Sequence, residues 1–364
     1  MGSVNKFDLK HVPPLADVAC CHQVLEARVR LETPTRHPLR PNEVLDGRFL
    51  IHEAMSYSGM ATIYRAEDML GARHDVAVKV PLLSVESDPV LFRLLRREEE
   101  IGLKLSHPYL QKYYPVGEKI RPYIVTEFLR GRTLDYLRFE TRPLEERDAL
   151  IIVSLICEAL EYMHDRGFIH QDLKPANIMI CCDQTLRLMD FGVASPPIRK
   201  RSVFAKLTPT FGTPEYMAPE QVENGSIDER SDVYGLGAIL YELLTGVVPF
   251  KSEHAWQSAI HRITGDPTAP RKVNPSLSPQ AEEIVLHAMQ RSPSDRYQSM
   301  REFRADLIAP ARVAVTGYCE RLRLPRRKIS LQGTPMIAGL LLALGVILFL
   351  ISISMIVRFY LPRG

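Results

Sequence analysis

Short hydrophobic runs dominate the chain between residues 47 and 130. Runs rich in branched and aromatic side chains cover residues 48–54, 61–66 and 75–80, and polar or glycine-containing turns separate them. Such runs predict the strands of an antiparallel sheet. The hydrophobic spacing then becomes helical from Pro89 to Leu105, and residues 122–128 predict one more strand.

Longer helical patterns fill the second half of the chain. Apolar residues recur with helical spacing in four segments, which are Leu144 to Arg166, Ser231 to Thr245, Gln280 to Gln290 and Ser299 to Leu307. Each segment predicts a helix with one buried face. The whole pattern therefore predicts an α+β architecture, in which a small β-rich part with one main helix precedes a larger helical part.

A different kind of pattern begins near the C-terminal end. Residues 336–357 carry no charge, and two serines are their only polar side chains. At 1.5 Å per residue, such a helix spans roughly the 30 Å hydrocarbon core of a bilayer, so we predict a transmembrane helix. Arginine and lysine are more frequent before it, at residues 321–328, than after it, which predicts that the preceding part faces the cytoplasm. A buried helix of the core is the alternative reading.

Composition narrows the classes of protein that fit. The 364 residues include 46 basic and 43 acidic side chains, so no overall positive field predicts nucleic-acid binding. The six cysteines have neither a C-x-x-C spacing nor the context of a small secreted protein, which favours reduced thiols and argues against a zinc site. The N-terminus has no apolar signal-peptide region.

The segment from His170 to Met179, HQDLKPANIM, combines three chemical functions in ten residues. The Asp172 carboxylate can accept the proton of an attacking hydroxyl, and the Lys174 ammonium can neutralise charge on a phosphoryl group. The Asn177 amide offers an oxygen to a hard cation. By itself the spacing is weak evidence, because charged residues in a polar loop are often only solvated.

Three further motifs in a fixed order strengthen this interpretation. VAVKV around Lys79 lies upstream, and Asp190-Phe191-Gly192 and then Ala218-Pro219-Glu220 follow. This order resembles the signature set of protein kinases. Residues 59–64, 239–250 and 295–300 look most like bacterial eukaryotic-like (Hanks-type) Ser/Thr protein kinases. The resemblance covers Gly47 to about Leu307 and implies a bilobal kinase fold.

The resemblance also implies roles for individual residues. Lys79 would bind ATP phosphates and pair with Glu98, which lies nine residues before His107. Asp190 and Asn177 would bind Mg²⁺, which Mn²⁺ could replace, while Asp172, Lys174 and Asn177 would be catalytic. The remaining predicted contacts of the nucleotide are Met55, Ser56, Ser58, Gly59, Ile63, Ala77, Glu127, Leu129 and Met179.

Other residues match family positions that support the active site. Thr126 occupies the gatekeeper position, and Glu127 to Leu129 occupy the hinge. Lys174 in its D-L-K-P context and Thr213 resemble Ser/Thr kinases rather than Tyr kinases. The remaining support positions are Asp232, which would support the catalytic loop, and Glu220 and Arg296, which would form an ion pair.

Two departures from the family pattern stand out. The phosphate-covering loop has Ser56, Ser58 and Ala61 where relatives have glycine, and keeps only Gly59. Glycine allows the backbone to approach phosphates closely, so the affinity for nucleotide is in doubt. Gln171 stands where many relatives have an arginine that pairs with a phosphorylated activation loop, so regulation by such a phosphate is less secure.

These observations predict the domain organisation and the activity. We expect an N-terminal extension over residues 1–46, a kinase domain over 47–309, a basic linker over 310–335, a transmembrane helix over 336–357 and a short tail over 358–364. The expected protein is a Ser/Thr kinase at the inner face of the plasma membrane, with ATP and protein substrates as partners. A pseudokinase or ATP-sensing scaffold with a degenerate loop is the alternative, and a small-molecule phosphotransferase is a third.

Overall fold

The computed structural model describes residues 39–70, 73–136, 143–197, 215–223, 225–250 and 255–323. A six-stranded antiparallel sheet comes first, and its strands lie in the spatial order β1-β2-β3-β4-β6-β5. The strands are β1 (Val44–Leu45), β2 (Phe49–Tyr57), β3 (Ala61–Asp68), β4 (His74–Pro81), β5 (Tyr113–Tyr114) and β6 (Ile124–Glu127). The predicted strands of the first half are therefore present, and β1 lies before Gly47, at which the predicted kinase domain begins.

Two helices lie between β4 and β5. They are α1 (Leu83–Ser87) and α2 (Pro89–Lys104), and the second matches the predicted helix. The Asp88 side chain caps α2 by accepting hydrogen bonds from the N–H groups of Val90 and Leu91, and Pro89 occupies the first turn. Gly102 lets this helix approach β5, since a Cβ there would lie 2.4 Å from the Tyr113 ring. The close approach at Gly102 is therefore one of the contacts that set the position of α2 against the sheet.

The second half is mostly helical. A small sheet connects it to the first half and consists of β7 (Gly131–Thr133), β8 (Ile178–Cys181) and β9 (Leu186–Leu188). The helices are α3 (Glu146–His164), α4 (Pro219–Val222), α5 (Glu229–Thr245), α6 (Ala255–Thr264), α7 (Pro270–Val273), α8 (Pro279–Ala288) and α9 (Met300–Ile308). The four predicted helices appear as α3, α5, α8 and α9, and no end differs by more than two residues.

Two hydrophobic cores hold these parts together. The smaller core lies on the sheet and includes Phe49, Ile51 and Val78. The larger core fills the helical half and extends to α2 through Leu95 and Ile101. Asp232 and Ser231 lie buried at the start of α5, close to this core. A buried carboxylate needs hydrogen-bond partners, and Asp232 finds them in the candidate site.

No helix among the described residues is long and apolar enough to cross a membrane. The segment predicted to do so, 336–357, lies outside the described residues, as do residues 1–38.

Candidate active site

Lys79 and Glu98 form a partly buried ion pair between the sheet and α2. Lys79 Nζ lies 2.8 Å and 2.7 Å from the two carboxylate oxygens of Glu98. The Tyr113 hydroxyl donates a further hydrogen bond of 3.2 Å to Glu98 Oε1. Glu98 is thus the partner that the sequence predicted for Lys79, and Glu99 pairs instead with Lys119.

Asp190 completes a charged triad with this pair. Its Oδ1 atom lies 3.8 Å from Lys79 Nζ. Burial by itself lowers the pKa of Lys79, but the Asp190 and Glu98 carboxylates outweigh it and raise that pKa above its ordinary value. Burial raises the pKa of Glu98, whereas the Lys79 ammonium lowers the pKa of Asp190. The triad therefore holds a permanent cation beside an ionised Asp190.

The catalytic loop brings the three predicted catalytic side chains together. Lys174 Nζ lies 2.6 Å from Asp172 Oδ2. The Asn177 amide nitrogen donates to the Asp172 backbone oxygen at 2.9 Å and to its Oδ2 atom at 3.2 Å. A 3-10 turn, Pro175–Asn177, produces this geometry, because it folds the chain back directly before β8. One oxygen of Asp172 is therefore held by two donors.

Asp232 supports the catalytic loop through hydrogen bonds to the loop backbone. Its carboxylate accepts hydrogen bonds from the N–H groups of His170 at 2.8 Å and Gln171 at 2.9 Å. The His164 Nε2 atom also lies 2.8 Å from it. Gln171 has a φ of 67°, a left-handed conformation that costs free energy in a non-glycine residue. The buried carboxylate offsets this cost, which fits its predicted supporting position.

The predicted metal ligands also lie next to each other. Met189, the residue before Asp190, donates its N–H to the Asn177 backbone oxygen at 2.8 Å. Since the Asn177 amide nitrogen points to Asp172, its amide oxygen remains as the atom that can bind a cation. A carboxylate beside an amide oxygen suits a hard ion such as Mg²⁺, so this donor set fits the predicted metal.

The predicted base pocket is built from both sheets. Ala77 in β4 pairs with Thr126 in β6, and Ile63 in β3 pairs with Lys79. Met179 lies in β8 opposite Thr133. The Thr126 hydroxyl accepts a hydrogen bond of 3.1 Å from the Gln111 side chain.

The predicted hinge begins at the end of β6. Glu127 ends that strand, and Leu129 follows two residues later. The Glu127 carboxylate accepts hydrogen bonds from the Lys112 N–H at 2.8 Å and Arg187 Nε at 3.2 Å. The backbone of Glu127 is also engaged, because its N–H donates to the Lys112 backbone oxygen at 2.9 Å and its oxygen accepts from the Gln111 side chain at 3.4 Å.

The phosphate-covering turn between β2 and β3 is closed by a backbone hydrogen bond of 2.9 Å from the Ser58 N–H to the Ala61 oxygen, and the Ser58 side chain adds to it. The Ser58 hydroxyl accepts from the N–H groups of Ala61 at 3.0 Å and Met60 at 3.3 Å, and donates to the Ala61 backbone oxygen at 3.0 Å. Met55 is the extra residue at an irregularity in β2, between Ala54 and Ser56 in the register with β3. The side chain of Ser58 therefore occupies backbone donors at the tip of the loop.

Sequence reasoning missed three residues that contact the site. The Gln171 side chain donates to the Ser195 hydroxyl at 2.5 Å, and the Gln221 side chain donates to the Gln171 backbone oxygen at 2.9 Å. Tyr113, which contacts Glu98, is the third. All three contacts join residues at least 15 positions apart, so no local pattern indicates them. The Ala218-Pro219-Glu220 motif lies directly before Gln221 but does not indicate its partner.

A second buried ion pair lies beyond the catalytic loop. Arg296 NH1 lies 2.8 Å from Glu220 Oε1, and Arg296 NH2 lies 2.7 Å from Glu220 Oε2. The Ser231 hydroxyl donates to the same carboxylate at 2.6 Å. This is the ion pair that the sequence predicted. Thr213, predicted to support Asp172, lies outside the described residues.

Comparison with known protein families shows to which family this chain belongs. The family model of the protein kinase domain matches residues 59–306. The chain therefore belongs to the protein kinase family, and the prediction of a protein kinase domain and of its α+β fold is confirmed.

Individual relatives point to the same group. Residues of this chain are 36% identical over 269 positions to the serine/threonine-protein kinase PknB of Mycolicibacterium smegmatis and also to that of Mycobacterium tuberculosis. A probable serine/threonine-protein kinase of Corynebacterium efficiens is 36% identical over 282 positions. The matches cover 72% to 75% of this chain but 43% of each relative's length.

Proposed function

We propose that the protein transfers the γ-phosphoryl group of ATP to serine and threonine hydroxyls of protein substrates. The assembled group of Lys79, Glu98, Asp172, Asn177 and Asp190 carries this proposal. Phosphoryl transfer depends on positioning and charge stabilisation, and this group supplies both a cation and carboxylates. The similarity to relatives named as serine/threonine-protein kinases, together with the D-L-K-P form around Lys174, supports the choice of hydroxyl substrates.

Each residue has a distinct task in this proposal. The Lys79 ammonium, held by Glu98, neutralises charge on the α- and β-phosphates. Asp172 orients the substrate hydroxyl and accepts its proton, while Lys174 offsets the charge of the transferred phosphoryl group. Bound Mg²⁺, which Asp190 and Asn177 would hold, supplies further charge stabilisation. Thr126 and the hinge backbone at Glu127 to Leu129 line the base pocket.

Measured turnover tests this function directly. The full-length chain is incubated with Mg²⁺, labelled ATP and a generic basic protein, and transferred phosphate is mapped to serine or threonine. We expect Asp190→Asn to weaken the binding of Mg²⁺-ATP, and the matched control Glu158→Gln, which alters a surface ion pair with Arg304, to leave turnover unchanged. Absence of transfer by the wild-type chain would contradict the proposal.

A pseudokinase that only senses ATP is the second candidate. The Ser58 hydroxyl favours it, because it occupies two N–H groups of the phosphate-covering turn. The complete set of catalytic side chains favours turnover instead. Nucleotide binding without phosphate transfer, seen in the same experiment, would support the scaffold.

We also propose a single-pass anchor over residues 336–357 that holds the kinase domain on the cytoplasmic side of the inner membrane. The uncharged stretch and the basic residues before it support this proposal. Each of those basic residues would add about 1 kcal/mol of attraction to anionic lipid. Removal of residues from 330 onward should release a soluble and active kinase. Full-length chain found in the soluble fraction without detergent would contradict the anchor.

A further inference from the structure

Gln111 lies between α2 and β5, and its backbone is attached to the small sheet. Its N–H donates to the Leu188 oxygen in β9 at 2.9 Å, and the Leu188 N–H donates to the Tyr109 oxygen at 2.8 Å. Leu110, between these two residues, forms a parallel bridge with Leu188. The segment is therefore fixed on the strand that ends two residues before Asp190.

The Gln111 side chain reaches the six-stranded sheet. Its amide nitrogen donates to the Thr126 hydroxyl at 3.1 Å and, in a longer and weaker contact, to the Glu127 backbone oxygen at 3.4 Å. A backbone oxygen only accepts hydrogen bonds, so the nitrogen and not the oxygen of the amide faces it. Gln111 therefore joins β9 to the end of β6, where the predicted hinge begins.

The hydrogen bond to Thr126 fixes the side chain at the gatekeeper position. Thr126 is buried, and it pairs across the sheet with Ala77, a predicted contact of the base. A threonine side chain has three staggered rotamers, which differ in where the hydroxyl and the methyl group lie. The bond from Gln111 selects the rotamer in which the hydroxyl faces residue 111. One wall of the base pocket is thereby held in a single conformation.

The Glu127 backbone can offer a ligand only an acceptor. Its N–H is already bonded to the Lys112 oxygen at 2.9 Å. A carbonyl oxygen has two lone pairs, and Gln111 occupies one of them, so one remains. An exocyclic amino group can donate to this lone pair, whereas an oxo group in the same place would leave it unpaired. A 6-amino purine therefore fits this position better than a 6-oxo purine.

We propose that Gln111 is a positioning residue that sets the preference of this site for adenine over guanine nucleotides. The inference rests on the proposed function, since it concerns the nucleotide from which phosphate is transferred. Gln111 acts through Thr126 and Glu127 and not on the reacting atoms. Because its backbone is anchored on β9, its side chain holds the gatekeeper and the first hinge oxygen in register with a strand of the other sheet.

Loss of the Gln111 amide should affect two nucleotides differently. ATP and GTP share the ribose and the triphosphate, so they differ only at the base. For ATP, a displaced Glu127 oxygen weakens the hydrogen bond to the amino group. For GTP, there is no such bond to lose. A change in the ratio of the two affinities therefore reports on the hinge oxygen, whereas a general loss of folded protein would reduce the binding of both nucleotides alike.

Equilibrium titration of the full-length chain with Mg²⁺-ATP and with Mg²⁺-GTP tests the proposal. Gln111→Met keeps the length of the side chain and removes both N–H groups. We expect it to weaken the binding of ATP about fivefold, the effect of one neutral hydrogen bond, and to leave the binding of GTP unchanged. The matched control is Gln290→Met in the helical half, where the same exchange removes a hydrogen bond of 2.7 Å to the Leu286 oxygen. This control should leave both affinities unchanged.

A double-mutant cycle tests the route through Thr126. Thr126→Val keeps the shape of the side chain and removes the hydroxyl that accepts from Gln111. In this background Gln111→Met should weaken the binding of ATP only about twofold, because the contact with Glu127 is all that remains to be lost. Equal losses in the two backgrounds would overturn the route through Thr126.

The outcomes separate this inference from the proposed function. An unchanged ratio of ATP to GTP affinity in Gln111→Met would overturn the inference alone. A wild-type chain that binds ATP but transfers no phosphate would overturn the proposed function, and the affinity ratio would still decide the role of Gln111. A wild-type chain that binds neither nucleotide would overturn both.

Discussion

The catalytic loop and the phosphate-covering turn contribute to the same candidate site, but they are held in different ways. The loop from His170 to Asn177 is tied to α5 by Asp232 and internally by Lys174 and Asn177. The turn after β2 is closed within itself, by a backbone hydrogen bond from Ser58 to Ala61 and by the Ser58 hydroxyl. Proton transfer needs fixed geometry, whereas a loop that covers phosphates must open to admit nucleotide.

Burial explains why the catalytic loop is held more firmly than the phosphate-covering turn. Asp232 is 1% exposed, so its hydrogen bonds are protected from water and costly to lose. Gly59 has open space around it, and a Cβ there would meet nothing within 4 Å. Bonds at such a tip compete with water and with phosphate oxygens. The comparison predicts large effects from substitutions at the catalytic loop and small effects at the turn.

The largest effect is expected for Asp172→Asn. The amide cannot accept the proton of the substrate hydroxyl, so kcat should fall about 10²- to 10⁴-fold. Nucleotide affinity should stay near wild type, because Asp172 acts on the hydroxyl and not on ATP. Steady-state kinetics with nucleotide titration separates the two quantities. Transfer at the wild-type rate would show that another group accepts the proton.

Asp232→Asn should lower the stability of the fold as well as turnover. Two backbone donors and His164 would share one remaining acceptor oxygen, so the free energy of unfolding should fall by about 2–4 kcal/mol. The matched control is Asp228→Asn at the start of the same helix, where Asp228 caps α5 without touching the catalytic loop. The control should cost about 1 kcal/mol or less. Equal losses in denaturant unfolding would contradict the role of Asp232.

Wild type and the Asp232→Asn variant also give a test of the pH dependence of stability. Burial by itself raises the pKa of Asp232, but hydrogen bonds from His164 and Gln171 outweigh it, and the folded pKa lies below the ordinary value. A depressed folded pKa stabilises the protein above the unfolded pKa of about 3.9, and this contribution is lost as the pH falls below it. The stability difference between wild type and Asp232→Asn should therefore shrink as the pH falls below about 4. A difference that grows on acidification would contradict the assignment.

A smaller effect is expected where the catalytic loop contacts the activation segment, the stretch between Asp190 and Glu220. Gln171→Leu and Ser195→Ala each remove one neutral hydrogen bond of about 1 kcal/mol, so turnover should fall about fivefold in either. Because this contact joins an amide to a hydroxyl, phosphatase treatment of the wild-type chain should reduce turnover only modestly, as should alanine at both Thr208 and Thr210, two of the hydroxyl residues between Asp190 and Glu220. Complete loss of turnover in either experiment would mean that a phosphate in this segment is bound by a basic group at a position other than 171.

The smallest effect is expected for the turn. Ser58→Ala frees the N–H groups of Met60 and Ala61 for phosphate oxygens, and glycine at both Ser56 and Ser58 should act in the same direction. We expect the affinity for ATP to rise about two- to fivefold, a fraction of one hydrogen bond. Adenosine, which has no phosphates, is the matched control ligand and should bind equally to all variants. A weaker binding of ATP would show that Ser58 preorganises the turn.

The sequence by itself determined the fold class, the family and the chemical inventory of this protein. Hydrophobic spacing indicated the strands of the first half and the helices α2, α3, α5, α8 and α9, because buried faces impose a local period. Motif order identified Lys79, Asp172 and Asp190, since the chemistry of phosphoryl transfer requires these residue types. The roles of these residues and the membrane anchor stay predictions.

Only the tertiary structure decided which distant residues complete the site. Tyr113 reaches Glu98 because Gly102 lets α2 pack closely on β5, and Ser195 reaches Gln171 because two loops pair their backbones at Ile169. The hydrogen bond from the Thr316 N–H to Glu283 likewise joins residues 33 positions apart, and Thr316 lies in a stretch that the sequence marks only as a linker. Such contacts depend on the packing of whole elements, and hydrophobic spacing carries no record of which element lies opposite.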